Sequence, residues 1–164
     1  MTPILDMTAG SRMFWFDKHD KRATFIDKRN TTYQSTDRGY LRKIEIRPDI
    51  QMDWTKEALP FQNDTFYLVV FDPPHLKNAG ENSWLAQKYG VLDDFWQKQI
   101  RRGFIEAMRV LKPNGTLVFK WNDDQIPLKE VLEAIDYVPL FGDKKSKTHW
   151  LIFMKDEDKQ NGKR

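Results

Sequence analysis

Short apolar runs, several ending in an acidic or turn residue, recur along the chain at wide intervals. Ile4-Leu5-Asp6-Met7 is the first, Ala23-Thr24-Phe25-Ile26-Asp27 the second, and Ile50-Gln51-Met52-Asp53 a weaker third. Phe66-Tyr67-Leu68-Val69-Val70-Phe71-Asp72 is the clearest. Thr116 to Trp121, Tyr137 to Phe141 and His149 to Met154 complete the series. Unbroken apolar runs, as opposed to alternating ones, fit strands buried on both faces. Helical spacing appears between several of them. Trp96, Ile100, Phe104, Ala107, Met108 and Leu111 make one apolar face of a helix, with Asp93 or Asp94 as its cap. Lys112-Pro113-Asn114-Gly115 stops that helix in a turn. Pro127 to Ile135 reads as another helix, with proline in its first turn. Strands alternating with helices predict an α/β fold, a mostly parallel sheet with helices on both faces. Ligands in such sheets sit beyond the carboxyl ends of the strands. Asp6, Asp27, Asp53 and Asp72 therefore gather along one edge.

Length and composition narrow this picture. The 164 residues fit one domain, residues 1–154, followed by a charged tail, 155–164, that is expected to fray. Eleven Phe, six Trp and five Tyr are enough for a packed core and exclude a disordered chain. The chain has no cysteine, which excludes disulfides, cysteine–zinc sites and a cysteine nucleophile. No metal site is expected. No run approaches 18 apolar residues and no signal-peptide pattern opens the chain, so a cytoplasmic protein without a membrane partner is expected.

Chemistry concentrates in Asp72-Pro73-Pro74-His75, directly after the clearest strand. Two prolines hold the backbone extended and leave carbonyls with no adjacent N–H. The Asp72 carboxylate and a neighbouring carbonyl can then accept both hydrogens of an amino group. An exocyclic amine on a base is a poor nucleophile because its lone pair is conjugated into the ring. Hydrogen bonds from its N–H groups favour the geometry that frees that pair.

With Ile4-Leu5-Asp6-Met7-Thr8-Ala9-Gly10-Ser11-Arg12, Pro60-Phe61 and Arg109-Val110-Leu111-Lys112-Pro113-Asn114-Gly115-Thr116-Leu117, this tetrad resembles class I S-adenosylmethionine-dependent methyltransferases. The type is that of exocyclic-amine enzymes with a D-P-P-aromatic signature. It looks similar to the small DNA adenine-type methyltransferases of bacteriophages and their bacterial hosts, and the likeness covers Ile4 to about Met154. The resemblance implies a Rossmann-like, seven-stranded core. It implies that Asp6, Met7, Thr8, Ala9, Gly10 and Ser11 hold the methionine part of S-adenosyl-L-methionine. It places Asp27 on the ribose hydroxyls and Asp53 on the adenine amino group, with Trp54 or Lys28 over the adenine face. It makes Asp72, Pro73, Pro74 and His75 catalytic positions, with Asp72 also beside the cofactor. Two departures stand out. The turn carries one glycine, Gly10, where the family has two or three, and His75 replaces the usual aromatic residue. An imidazole can stack on a base or exchange a proton near neutral pH.

The seventeen residues Leu76–Leu92 are long for a connection and suggest a lid or binding loop. In it Trp84 and Tyr89 can stack on a base while Lys77 and Lys88 meet phosphates. The other reading is a short helix that packs Trp84 into the core. Net charge is only +3, but its distribution is uneven. Lys18 to Arg47 carries nine Lys or Arg against four Asp or Glu, and Lys144-Lys145-Ser146-Lys147 adds a second basic cluster. These favour a polyanionic partner. The expected activity is methyl transfer to an exocyclic amine of a nucleic-acid base, foremost adenine N6 in DNA. RNA, a protein side chain or a small amine is the alternative substrate, and a non-catalytic cofactor-binding subunit the alternative role. A core that uses nearly all 164 residues leaves none for a separate target-recognition domain. Specificity would then come from Leu76–Leu92, the basic segments, a protein partner or a homodimer.

Overall fold

The computed structural model describes residues 1–37, 39–80 and 83–157. Among the described residues, nine strands and three helices follow one another as β1 (Ile4–Asp6), β2 (Ala23–Asp27), β3 (Thr31–Asp37), β4 (Tyr40–Ile46), β5 (Ile50–Gln51), β6 (Phe66–Phe71), α1 (Trp84–Tyr89), α2 (Trp96–Val110), β7 (Leu111–Asn122), α3 (Leu128–Ile135), β8 (Phe141–Lys145) and β9 (Thr148–Met154). Seven strands form one sheet in the order β5-β2-β1-β6-β7-β9-β8, and β3 and β4 form a separate hairpin. The pairs among β5, β2, β1, β6 and β7 are parallel. β9 runs antiparallel to both β7 and β8. This is the mostly parallel α/β sheet that the apolar runs predict, with the seven strands that the resemblance implies.

Alternation along the buried strands assigns the two faces. Leu5, Ile26, Val69, Phe71, Leu117, Phe119, Trp121, Leu151 and Phe153 join one large core, and α2 and α3 pack into it. The periodic residues of α2, namely Trp96, Ile100, Phe104, Ala107 and Met108, are all buried. At Gly103 a Cβ would lie 2.7 Å from the rings of both Phe71 and Trp54, so glycine is what lets α2 approach the sheet there. The other face differs from the expected helix layer. Over β1 and β2 it carries Ala23 and Phe25, covered by Trp15 from the turn-rich segment between the two strands.

Several boundaries move. α2 starts after Asp93 and Asp94, with Phe95 at its N-cap, while the Asp93 carboxylate accepts from Phe95 N and the Gln99 side chain. Lys112-Pro113-Asn114-Gly115 ends α2 but lies inside the long strand β7, with Asn114 in the left-handed region at φ 61°. Tyr137 to Leu140 is not strand, and β8 starts only at Phe141. Lys155, expected in a fraying tail, is fixed: its N donates to Gly115 O, and its Nζ donates to Asp64 Oδ1 and Leu111 O. Residues 158–164 of that tail lie outside the described residues. Among the described residues, no helix is long and apolar enough to cross a membrane.

Candidate active site

The strand order reverses between β1 and β6: the chain runs outward from β1 through β2 to β5, then lays β6 on the other side of β1. The crevice beyond such a switch point is where open α/β sheets bind ligands. A cavity of about 310 Å³ occupies it, within the roughly 300–1,000 Å³ typical of small-molecule sites. Its walls bring together Met7, Thr8, Ala9, Gly10 and Ser11 after β1, Asp27 and Lys28 after β2, Asp53 and Trp54 after β5, and Asp72, Pro73 and Pro74 after β6. Lys88 and Tyr89 of α1 close it from the side. Thus fourteen of the eighteen residues singled out from sequence line one cavity.

The other four are placed elsewhere. Asp6 is fully buried beneath the turn, where its carboxylate accepts from Thr8 N (3.1 Å) and Trp15 Nε1 (2.8 Å). Burial pushes its carboxyl up to about 7, against the pull of those two hydrogen bonds. Asp6 therefore shapes the turn without facing the cavity. His75 lies outside the cavity wall, against Tyr89 (5.2 Å between ring centroids) and Trp121 (6.4 Å). Burial, helped by the Lys120 charge, lowers its imidazole to about 4, so it is neutral at neutral pH. Lys77 is exposed, and its N–H donates to Gln125 Oε1. Trp84 starts α1, half-buried and off the cavity. The Leu76–Leu92 segment accordingly contains the short helix, and its ends are joined by Leu92 N donating to Leu76 O.

Each wall has a local cause. The turn after β1 is held by Ala9 N donating to Ile26 O and by Gly10 N donating to Asp27 Oδ2 (2.9 Å). Gly10 has φ 51°, where a side chain is strained, so the single glycine of the motif sits at the position that needs it. Thr8 Oγ1 accepts from Asp72 N (2.7 Å) and ties the turn to the motif after β6. Asp53 accepts from the N and Oγ1 of Thr55. Trp54 lines the cavity but is buried edge-on against Phe71, so most of its ring belongs to the core.

Two residues that sequence reading did not single out stand at the centre. Lys120 of β7 pairs with Asp72, Nζ to Oδ2 at 2.8 Å. Burial raises the Asp72 carboxyl above its usual range, while Lys120 opposes that rise by its charge and its hydrogen bond. The signal was a lone lysine inside the apolar run Leu117–Trp121, on the strand paired with β6 so that Phe71 faces Phe119. The second is Arg29. Its N, Nε and Nη2 all donate to the Asp27 carboxylate, and its Nη1 donates to Gln87 O of α1 (2.8 Å). With Gly10 N, four donors engage the two carboxylate oxygens of Asp27, which offer about four lone-pair positions.

The donor set fits S-adenosylmethionine: a glycine turn that admits a ligand to the backbone, acceptors at Asp53 and Asp72, and an acceptor at Asp27 once an Arg29 bond opens.

No protein-family model matches the chain, and no curated protein matches it in sequence. Solved structures do match in fold. PH0226 from Pyrococcus horikoshii OT3 is 15% identical with a TM-score of 0.58, over 94% of this chain and 81% of that one. HI0767 from Haemophilus influenzae, assigned as a methylase, is 15% identical with a TM-score of 0.50, over 96% and 88%. A Leishmania major SAM-dependent methyltransferase of the DUF858 family is 13% identical with a TM-score of 0.50, over 92% and 63%. The chain shares the class I methyltransferase fold with the latter two proteins.

Proposed function

We propose that this protein is an S-adenosylmethionine-dependent methyltransferase acting on an exocyclic amino group of a nucleic-acid base, with adenine N6 in DNA as the first choice. One observation carries the reading. The Asp72-Pro73-Pro74 motif and the Ala9-Gly10-Ser11 turn, 61 residues or more apart in sequence, share one cavity wall at the switch point of the sheet. The cofactor, when bound, supplies an electrophilic methyl group on its sulfonium.

The chain's own residues supply alignment. Met7 to Ser11 cradle the methionine end, Asp27 accepts from the ribose hydroxyls, and Asp53 accepts from the adenine amino group. Asp72 Oδ2 is engaged by Lys120, so Oδ1 accepts one hydrogen of the target amine and a carbonyl of the proline pair accepts the other. Asp72 has no need to be a strong base, because the amine becomes acidic as it is alkylated. Tyr89 and Lys88, on the cavity's α1 side, stack on the base and meet a phosphate. His75 supports Tyr89 from behind.

Nucleic acid is favoured over other amines by the basic rim, where Lys28, Lys56 and Lys88 line the cavity. The second basic cluster contributes less than its sequence suggests, since Lys144 pairs with Asp123 and Lys147 with Asp124. Transfer of labelled methyl groups to separate DNA, RNA and peptide pools tests the proposal. Label is expected in adenine of the DNA pool, falling by about 100-fold or more in Asp72→Ala. Label in RNA alone would move the substrate to RNA. Equal transfer by the variant would refute the site.

A further inference from the structure

Lys120 is the one charged residue in the β7 run Thr116–Trp121, and it lies on the sheet face opposite the large core. The register sets Phe119 against Phe71, which carries Lys120 alongside Asp72 just beyond the end of β6. Its Nζ is 2.8 Å from Asp72 Oδ2 and lies near two aromatic rings, 5.5 Å from the Phe14 centroid and 5.6 Å from the Trp150 centroid. Those rings meet edge to face at 5.5 Å. Three restraints thus hold one ammonium: strand register, an ion pair, and two ring faces that attract a cation.

We infer that Lys120 is a positioning residue for methyl transfer, fixing the Asp72 carboxylate in its ionised form with Oδ1 turned toward the amine. The inference rests on the reading of Asp72 as the amine acceptor. A protonated Asp72 would present an O–H and accept less well, and an unpaired carboxylate would be free to rotate. Other charges facing this carboxylate do not substitute for Lys120. Asp6 under β1 is acidic and His75 on the same segment is neutral. Across the cavity, Arg29 is committed to Asp27, Lys56 is nearest Asp53, and Lys88 lies over the Tyr89 ring. Asp93 adds a further negative charge to that wall.

Carboxyl-¹³C NMR of aspartate-labelled protein reads this directly, with the Asp72 signal assigned by its loss in Asp72→Asn. In Lys120→Met the Asp72 titration midpoint is expected to rise by roughly 1–3 pH units, because loss of a nearby cation disfavours the charged carboxylate. Lys120→Arg is expected to keep it near the parent value. The acid limb of methyl transfer to the DNA pool is expected to move with the midpoint, activity returning at higher pH. Should Lys120→Met fail to fold, Lys120→Gln, a neutral donor, is read in the same way. An unmoved midpoint in a folded neutral variant would overturn the inference, as would a variant inactive at every pH. Full activity of Asp72→Asn would instead overturn the reading of the site on which the inference rests.

Discussion

His75 shows how a motif position takes its character from its surroundings. Its place after Asp72-Pro73-Pro74 suggests an aromatic stacker or a proton carrier, and either role suits an imidazole in isolation. Burial against Tyr89 and Trp121 keeps it neutral down to about pH 4. A histidine whose folded pKa lies below its unfolded value near 6.5 contributes stability that is lost as pH falls. Asp6 works the other way: raised to about 7 from the model-peptide 3.8, it contributes stability below 3.8 that is lost as pH rises toward 7. Comparison with His75→Phe separates the two, since Asp6 is common to both proteins. The melting temperature of the parent relative to His75→Phe is expected to fall as pH drops from 6.5 to about 4. A constant difference across that window would show that His75 does not titrate as an internal base. None of this could be read from sequence, because the shift arises from burial and from the charge of Lys120, 45 residues away.

At the scale of elements, Arg29 joins two walls of the cavity. One guanidinium holds the Asp27 carboxylate and the Gln87 carbonyl together, so α1 is tethered to the end of β2. A helix of six residues cannot hold itself, and its order depends on such contacts. Arg29→Ala removes a charge-assisted hydrogen bond worth about 1.5–3 kcal/mol. Amide exchange across Trp84–Tyr89 is then expected to accelerate by about 10–100-fold, with α2 unchanged. Unchanged exchange in α1 would place its stability in other contacts. The elements legible in sequence were those with a clear apolar signature: β1, β2, β6, β9, the Thr116–Trp121 part of β7, the buried face of α2, α3 and, more weakly, β5. The β3–β4 hairpin escaped notice because Thr31–Asp37 is built from polar residues, and its neighbourhood reads first as a run of charge. β8 was placed too early, at Tyr137 to Phe141, because its own five residues are all exposed at the sheet edge and carry no apolar pattern. Lys112-Pro113-Asn114-Gly115 reads as a turn, yet Asn114 takes the left-handed conformation within β7 and the strand continues.

For the whole molecule, the order of strands does the assembling. Asp27, Asp53 and Asp72 were legible as strand-end acids, and the parallel sheet delivers them to one cavity. Asp6 ends its strand in the same way but turns inward, because Trp15 and Thr8 N claim its oxygens. Lys120 was legible only as a lone lysine in an apolar run, since its partner Asp72 is 48 residues away, and Arg29 joins Asp27, two residues off, to the Gln87 carbonyl that only the fold brings near. The basic character seen in sequence is likewise redistributed: Lys144 and Lys147 pair with Asp123 and Asp124, while Lys28, Lys88 and Lys56, the last paired with Asp53, line the cavity rim.

Everything proposed for this molecule depends on the switch-point cavity taking S-adenosylmethionine. Isothermal titration of that compound into the folded protein measures it most directly. One molecule is expected to bind per chain, with binding weakened in Gly10→Val, where φ 51° penalises a side chain. No heat and no protection of the turn from Met7 to Ser11, in a sample whose fold is intact, would contradict it.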